Sequence, residues 1–197
     1  MKLGTHNSAT GNGLIWWQKP LGFLIHPFST CQSRTIRQQL EDGVKVFNLQ
    51  VAYVNGKWRF THGLAIYNGD LMETIRLMRL YSTEEEPIYF QLYLDTMLGS
   101  KSVEKFLEFL NDKQFTDLCD KRLVLLSSWI EGTDIYPNKK KNLSMEEHYW
   151  TMTWAKFFAY RFIDKLPLPM YHANRFNSTY KVSCNKDYLM LDYYQLG

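Results

Sequence analysis

His6, in the string Leu3-Gly4-Thr5-His6-Asn7-Ser8-Ala9-Thr10, and His62, in Thr61-His62-Gly63, are the side chains best placed to do chemistry in this sequence. An imidazole can take up or release a proton near neutral pH, so two brought to one place make a candidate acid–base pair. A short apolar start running into Gly-Thr-His-Asn-Ser reads as a first strand ending at an active-site rim. Taken alone, His6 would read as a packed side chain beside a turn capped by Asn7 and Ser8. His62, delivered to the same end of a sheet, changes that reading.

The elements that must position the pair follow from periodicity. Residues 44–53 alternate, so that Val44, Val46, Asn48, Gln50 and Ala52 share one face while Lys45, Phe47, Leu49, Val51 and Tyr53 share the other. Asn55-Gly56 is a strong two-residue hairpin signal, and it folds residues 57–62 back along that strand. Residues 33–41 read as a helix, with Ile36 and Leu40 on one side and Gly43 placed to end it. A helical stripe over residues 70–81, an apolar strand at 88–94, a helix at 102–111 and another apolar strand at 123–128 then alternate. Such alternation predicts parallel βα units.

Other stretches are less regular. Trp16 and Trp17 fall in a loop or short helical insert broken by Gly11, Gly13, Pro20 and Gly22, either packed in the core or forming a rim that touches apolar substrate or a bilayer. Residues 132–142 read as a polar loop whose Lys139-Lys140-Lys141 run is a solvated surface feature. A long aromatic-rich helix is expected over 145–165, a short strand at 170–173 and a last strand at 188–193.

Composition narrows the function class. At 197 residues, 45% hydrophobic and 22% charged, the chain is expected to form one globular domain, residues 1–197. A net charge of +3 does not argue for nucleic acid, and it does not repel a phosphate. Cys31, Cys119 and Cys184 are widely spaced, which points to neither a disulfide framework nor a cysteine zinc motif. No apolar run has signal-peptide length or approaches the roughly 18 residues of a membrane span, so a soluble protein, cytoplasmic by default, is expected.

Together, Gly4-Thr5-His6-Asn7-Ser8, Cys31-Gln32 followed by Ile36, Gln39-Leu40 and Gly43-Val44, the Asn48-x-Gln50 strand, Thr61-His62-Gly63 and Leu191-Asp192-Tyr193 form an ordered pattern. It resembles the X domain of phosphatidylinositol-specific phospholipase C, above all the small bacterial-type and X-domain-only members, most densely over residues 3–95. The resemblance implies an α/β fold, a compact, irregular TIM-type barrel with its site at the C-terminal ends of the strands. It also implies that His6 is the general base, His62 the general acid and Asp192 the carboxylate that orients the base. In-line displacement at phosphorus places attacking and leaving oxygens on opposite sides, so each imidazole works on one side. The first product would be a cyclic phosphodiester.

The chain departs from the family pattern at informative positions. Asn7 stands where bacterial-type members carry an aspartate. Asn48 and Gln50 are amides where calcium-dependent members have carboxylates, a poor set for a hard cation, so no metal and no cofactor are expected. Gln50 also replaces the arginine of bacterial-type members, forfeiting a charge worth on the order of 100-fold in rate at comparable sites. Tyr93 takes the place of a lysine or glutamate, Ser127-Ser128 that of an arginine contacting inositol, and Asp134-x-Tyr136 resembles an element gripping the ring. The implied partner is a phosphodiester, with a phospholipid at a membrane surface as one form of it. Two functions follow: a metal-independent two-histidine phosphodiesterase, or a catalytically silent member of the fold serving as a binding or structural component.

Overall fold

The structure, a computed structural model, describes residues 1–95, 98, 102–130, 133–134, 143–148 and 169–196. Its framework is a nine-stranded sheet: β1 (Lys2–Thr5), β2 (Val46–Val54), β3 (Lys57–His62), β4 (Ala65–Tyr67), β5 (Ile88–Leu94), β6 (Leu123–Ile130), β7 (Thr133–Asp134), β8 (Met145–His148) and β9 (Tyr188–Leu191). The order β7-β6-β5-β2-β1-β9-β8 is parallel from β6 to β8; the β3–β4 hairpin branches off β2, and β7 is an antiparallel edge. Among the described residues six α-helices accompany the sheet: α1 (Gly22–Ser29), α2 (Ile36–Glu41), α3 (Leu71–Leu80), α4 (Ser102–Asn111), α5 (Lys113–Leu118) and α6 (Pro169–Ser183).

Strand alternation sorts β2 into two environments. Phe47, Leu49 and Val51 are fully buried in the main core, which lies between the sheet and the helices and includes Ile36, Leu40, Ile75, Phe106 and Phe115. On the opposite face Val46 meets Leu126 of β6 and Met190 of β9, with Met145 and Tyr188 packed against them. Contact between strands so far apart in the sheet order requires the sheet to curl on itself. Gln91 of β5 reinforces this by donating to Glu147 of β8 at 3.4 Å. The result is an irregular TIM-type barrel whose lower interior is apolar and whose middle is polar.

One register detail places the site. Both β1, through Val46 and Phe47, and β3, through residues 51–54, pair with the edge of β2 that β5 does not occupy. The two strands therefore approach each other end to end along that edge, β1 running up and β3 running down. His6 and His62 stand at the facing ends. The turn between β2 and β3 has Asn55 at φ 51° and Gly56 at φ 78°, a conformation suited to Asn-Gly, and it fixes this register.

Several expectations are corrected. Residues 145–148 are strand β8, because they pair in parallel register with β9, Met145 opposite Tyr188 and His148 opposite Leu191. The rest of the long helix expected there lies outside the described residues, as do residues 132 and 135–142 of the expected polar loop with Lys139-Lys140-Lys141, whereas Thr133–Asp134 of that loop form β7 by pairing antiparallel with the end of β6. Residues 170–173 belong to helix α6, where Ala173 and Asn177 are buried one turn apart. A short apolar run does not itself distinguish strand from helix, and Pro169 at the first helical position favours the helix. The helix expected at 33–41 begins at Ile36, since Thr35 and Gln38 form a reciprocal capping box.

Gly4 marks a close approach of strands beneath the site: a Cβ there would lie 2.9 Å from Val46 Cβ and 3.4 Å from Met190 Cβ. Gly4→Val is expected to destabilise the fold by about 1–3 kcal/mol through overpacking, lowering the thermal unfolding midpoint by about 2–10 °C. An unchanged midpoint would contradict this packing.

Candidate functional site

His6 follows β1, and its backbone N–H donates to the Leu191 carbonyl at 3.1 Å, extending the pairing with β9 by one residue. That places the ring beside Asp192, with Nδ1 2.8 Å from Oδ1. Asp192 is 1% exposed and His6 15%. With the Asp192 carboxylate ionised and the imidazole neutral, Nδ1 carries the hydrogen of this contact and Nε2 presents its lone pair. Asn7 Nδ2 donates to that lone pair at 3.2 Å and reaches Cys31 Sγ at 3.8 Å. Asn7 has φ 44° and ψ 52°, a left-handed conformation that asparagine tolerates, and it turns the chain into the 3-10 turn Ser8–Asn12.

His62 ends β3. Its Nδ1 donates to the Ser29 carbonyl at 2.7 Å and lies 3.8 Å from Cys31 Sγ. The donation leaves Nε2 for proton transfer. The two imidazole centroids are 6.3 Å apart with planes at 83°. Burial pushes the His62 pKa below its ordinary value of 6.5; the Ser29 carbonyl opposes this, His6 adds to it, and the carboxylates of Asp192 and Asp95 oppose it. Burial pushes the Cys31 thiol well up, helped by the neighbouring Asp192.

The loop after α1 ties these parts together. Thr10 Oγ1 accepts from the backbone N–H groups of Cys31 and Gln32, each at 3.0 Å. Gln32 Nε2 donates to the carbonyls of His6 and Leu191, and the Tyr193 N–H donates to the Cys31 carbonyl at 2.7 Å. Asn177 of α6 donates to the carbonyls of Asp192 and Tyr193. Every bond holds main chain next to a site residue, so the site is supported from β1, β9, α6 and the Cys31 loop at once.

The amides of β2 occupy the barrel's polar middle. Asn48 Oδ1 accepts from the Asn7 N–H at 3.3 Å, and Asn48 Nδ2 donates to Gln91 at 3.0 Å, continuing to Glu147. Gln50 Nε2 donates to Asp95 Oδ2 at 3.0 Å. Tyr93 is half-buried and stands beside Gln50 in the β2–β5 register. Ser127 and Ser128 are fully buried, and neither hydroxyl has a hydrogen-bond partner among the described residues. Asp134 lies in β7 opposite Trp129, and Tyr136 lies outside the described residues. Lys45 pairs with Glu86 and the Arg59 guanidinium donates to the Gly69 carbonyl, so neither is directed at the histidines.

Trp16 and Trp17 are 76% and 40% exposed, and Phe23 on α1 is 75% exposed. The tryptophans therefore lie on the surface, and their loop is joined to the segment after His62 through Gln18 Nε2 and the Leu64 carbonyl.

No family model and no curated protein matches the chain. Solved structures do. A Staphylococcus aureus phosphatidylinositol-specific phospholipase C, studied for modulation of its membrane binding, superposes with a TM-score of 0.63 at 13% identity, covering 98% of this chain and 85% of that one. The chain has the fold of these enzymes. An N254Y/H258Y double mutant of the Staphylococcus aureus enzyme gives 0.63 at 14% identity, covering 98% and 84%. The Listeria monocytogenes phosphatidylinositol-specific phospholipase C gives 0.57 at 16%, covering 98% and 87%.

Sequence reasoning left out three neighbours of the site. Asp95 was legible, since the alternation Gln91-x-Tyr93-x-Asp95 puts it on the interior face. Cys31 was part of a motif yet had no assigned place, and Glu147 was hidden by the helical reading of its segment. Ring-proton NMR should find His62 titrating below 6.5, and Asp95→Asn should lower its midpoint further by removing a negative charge. A midpoint above 6.5, or an upward shift in Asp95→Asn, would contradict the burial and charge arrangement.

Proposed function

We propose that residues 1–197 act as a single barrel that cleaves phosphoric diesters in the manner of a phospholipase C, without a metal, through His6 and His62. The observation that carries this reading is the pair of imidazoles 6.3 Å apart, one of them held by a buried carboxylate at 2.8 Å. In the first step His6 Nε2 takes the proton from a hydroxyl neighbouring the phosphate. The hydroxyl oxygen bonds to phosphorus, the bond to the leaving oxygen breaks, and His62 gives that oxygen its proton. The product is a cyclic phosphodiester, His6 ends protonated and His62 neutral. Water then opens the ring with the roles exchanged, restoring both residues.

Asp192 keeps Nδ1 protonated, so the basic lone pair sits on Nε2, and it stabilises the imidazolium as it forms. Asn7, now donating to that lone pair, would turn its amide to the phosphate when substrate takes its place. Asn48, Gln50, Tyr93, Asp134 and Tyr136 are assigned to substrate binding, the first two as neutral donors in place of a charged group. The exposed Trp16, Trp17, Leu21, Phe23 and Leu24 support a phospholipid at a membrane surface as the form of substrate. Among the described residues no helix is long and apolar enough to cross a membrane.

One observation favours the second reading, a catalytically silent binding component. The charged side chains lining the polar interior among the described residues, Asp95, Glu147 and Asp192, are acidic, and the Gln50 amide already faces one of them.

Purified protein in EDTA should cleave phosphatidylinositol or a simple aryl diester carrying a neighbouring hydroxyl, followed by phosphorus NMR. His6→Ala and His62→Ala should each lower kcat/KM by at least about 100-fold and Asp192→Asn by about 1,000-fold or more. Because His62 must be protonated in the first step, the rate should fall as pH rises through its depressed midpoint below 6.5. Equal inertness of wild type and variants would sink the proposal and leave the binding reading.

A further inference from the structure

Two groups of the proposed reaction, His6 and Asp192, share a donor set with Cys31, which that reaction does not use. His6, Cys31 and Asp192 each offer a ligand atom, and these atoms lie within 4.8 Å of one another. Nδ1 of His6 and Oδ1 of Asp192 are already 2.8 Å apart, and Cys31 Sγ is next to both the Asn7 amide and His62 Nδ1 at 3.8 Å. A tetrahedral zinc site, with Zn–S of about 2.3 Å and Zn–N or Zn–O of about 2.0–2.2 Å, has ligand–ligand edges of about 3.3–3.8 Å. The widest separation here needs to close by about 1 Å, and the His6–Asp192 contact needs to open by about half that.

We infer that His6, Cys31 and Asp192 form a binding site for a thiophilic divalent cation, with zinc as the fitting ion, and that its occupancy switches the acid–base chemistry off. Thiolate, imidazole and carboxylate together select zinc over calcium or magnesium, which require shells of oxygen. The ligands are held in advance: the backbone of Cys31 is bound to Thr10 and Tyr193, and Gln32 clamps the carbonyls of His6 and Leu191. His6, 15% exposed, is the side from which an ion would enter and a water would complete the shell.

The inhibition follows from the tautomer and rests on the function proposed above. Zinc between Nδ1 and the carboxylate takes the position of the Nδ1 hydrogen. The imidazole proton moves to Nε2, the Cys31 thiol releases its proton to solvent, and Nε2 then has no lone pair to accept a proton from a hydroxyl.

Cobalt(II) reports the site without any turnover. Titrating the chelator-free protein with Co²⁺ should give a near-ultraviolet thiolate-to-cobalt band with visible tetrahedral bands, both removed by Zn²⁺. Cys31→Ser should lose the near-ultraviolet band and bind Zn²⁺ at least about 100-fold more weakly in competition with a chromophoric chelator, whereas Cys119→Ser and Cys184→Ser should keep both properties. Thermal unfolding checks that Cys31→Ser folds; if it does not, His6→Ala, which should show the same loss of Zn²⁺ affinity, takes its place. Absence of the band, or a band that survives Cys31→Ser, overturns the site. In the activity arm Zn²⁺ should suppress diester cleavage and EDTA should restore it; an active enzyme untouched by saturating Zn²⁺ overturns the inhibition. A protein inert on every diester but showing the Cys31-dependent band fails the proposed function and supports the metal site.

Discussion

The end-to-end meeting of β1 and β3 on one edge of β2 is the constraint on which the rest of the structure depends. A strand edge offers one row of backbone groups, and here two strands of opposite direction share it. The gap between their ends is where the chain leaves the ladder, and the residues at that gap are His6 and His62. Their ring separation of 6.3 Å is thus set by β-sheet register, which is stiff, more than by loop conformation. The Asn55-Gly56 turn fixes one side of the gap. On the other, the pairing of β1 with β9 fixes His6 and, in the same stroke, brings Asp192 to its Nδ1.

Beneath the histidines the interior changes character in layers. Val46, Leu126 and Met190 close the bottom, and the linked amides and acid of Asn48, Gln91 and Glu147 fill the middle. Buried polar groups of this kind are tolerable only when bonded to each other, and the chain from the Asn7 N–H to Glu147 does that. This arrangement explains why Asn48 and Gln50 face inward yet are already engaged. Their side chains hold the barrel's polar layer together, and any phosphate above them meets dipoles in place of full charges. In the proposed reaction, electrostatic stabilisation would accordingly be weaker than where an arginine or a metal stands, and more would fall to the two imidazoles.

Much of this was legible from residue order alone. Period-2 alternation in β2 separated Phe47, Leu49 and Val51 from Val46 and Asn48, and the structure puts the two groups in different layers. The hairpin signal placed His62 correctly because turn geometry is local. What escaped was non-local. Met145–His148 reads as the start of a helix until β9, some forty residues later, offers it a parallel partner. Cys31 has no spacing partner in the sequence, since its neighbours at the site, His62 and Asp192, come from elements far along the chain. Short apolar runs such as that at 170–173 carry no period long enough to decide their type, so the packing of Ala173 and Asn177 decided it.

In the proposed reaction the two imidazoles divide the labour, His6 removing a proton and His62 supplying one to the leaving oxygen. Replacing that oxygen with sulfur tests it most directly, because a thiolate leaves without protonation and so has no need of a general acid. With matched oxygen and sulfur diesters, the expected result is that His62→Ala loses activity on the first and keeps most of it on the second, while His6→Ala loses both. Equal losses in the two variants on both substrates would contradict the assignment of separate acid and base.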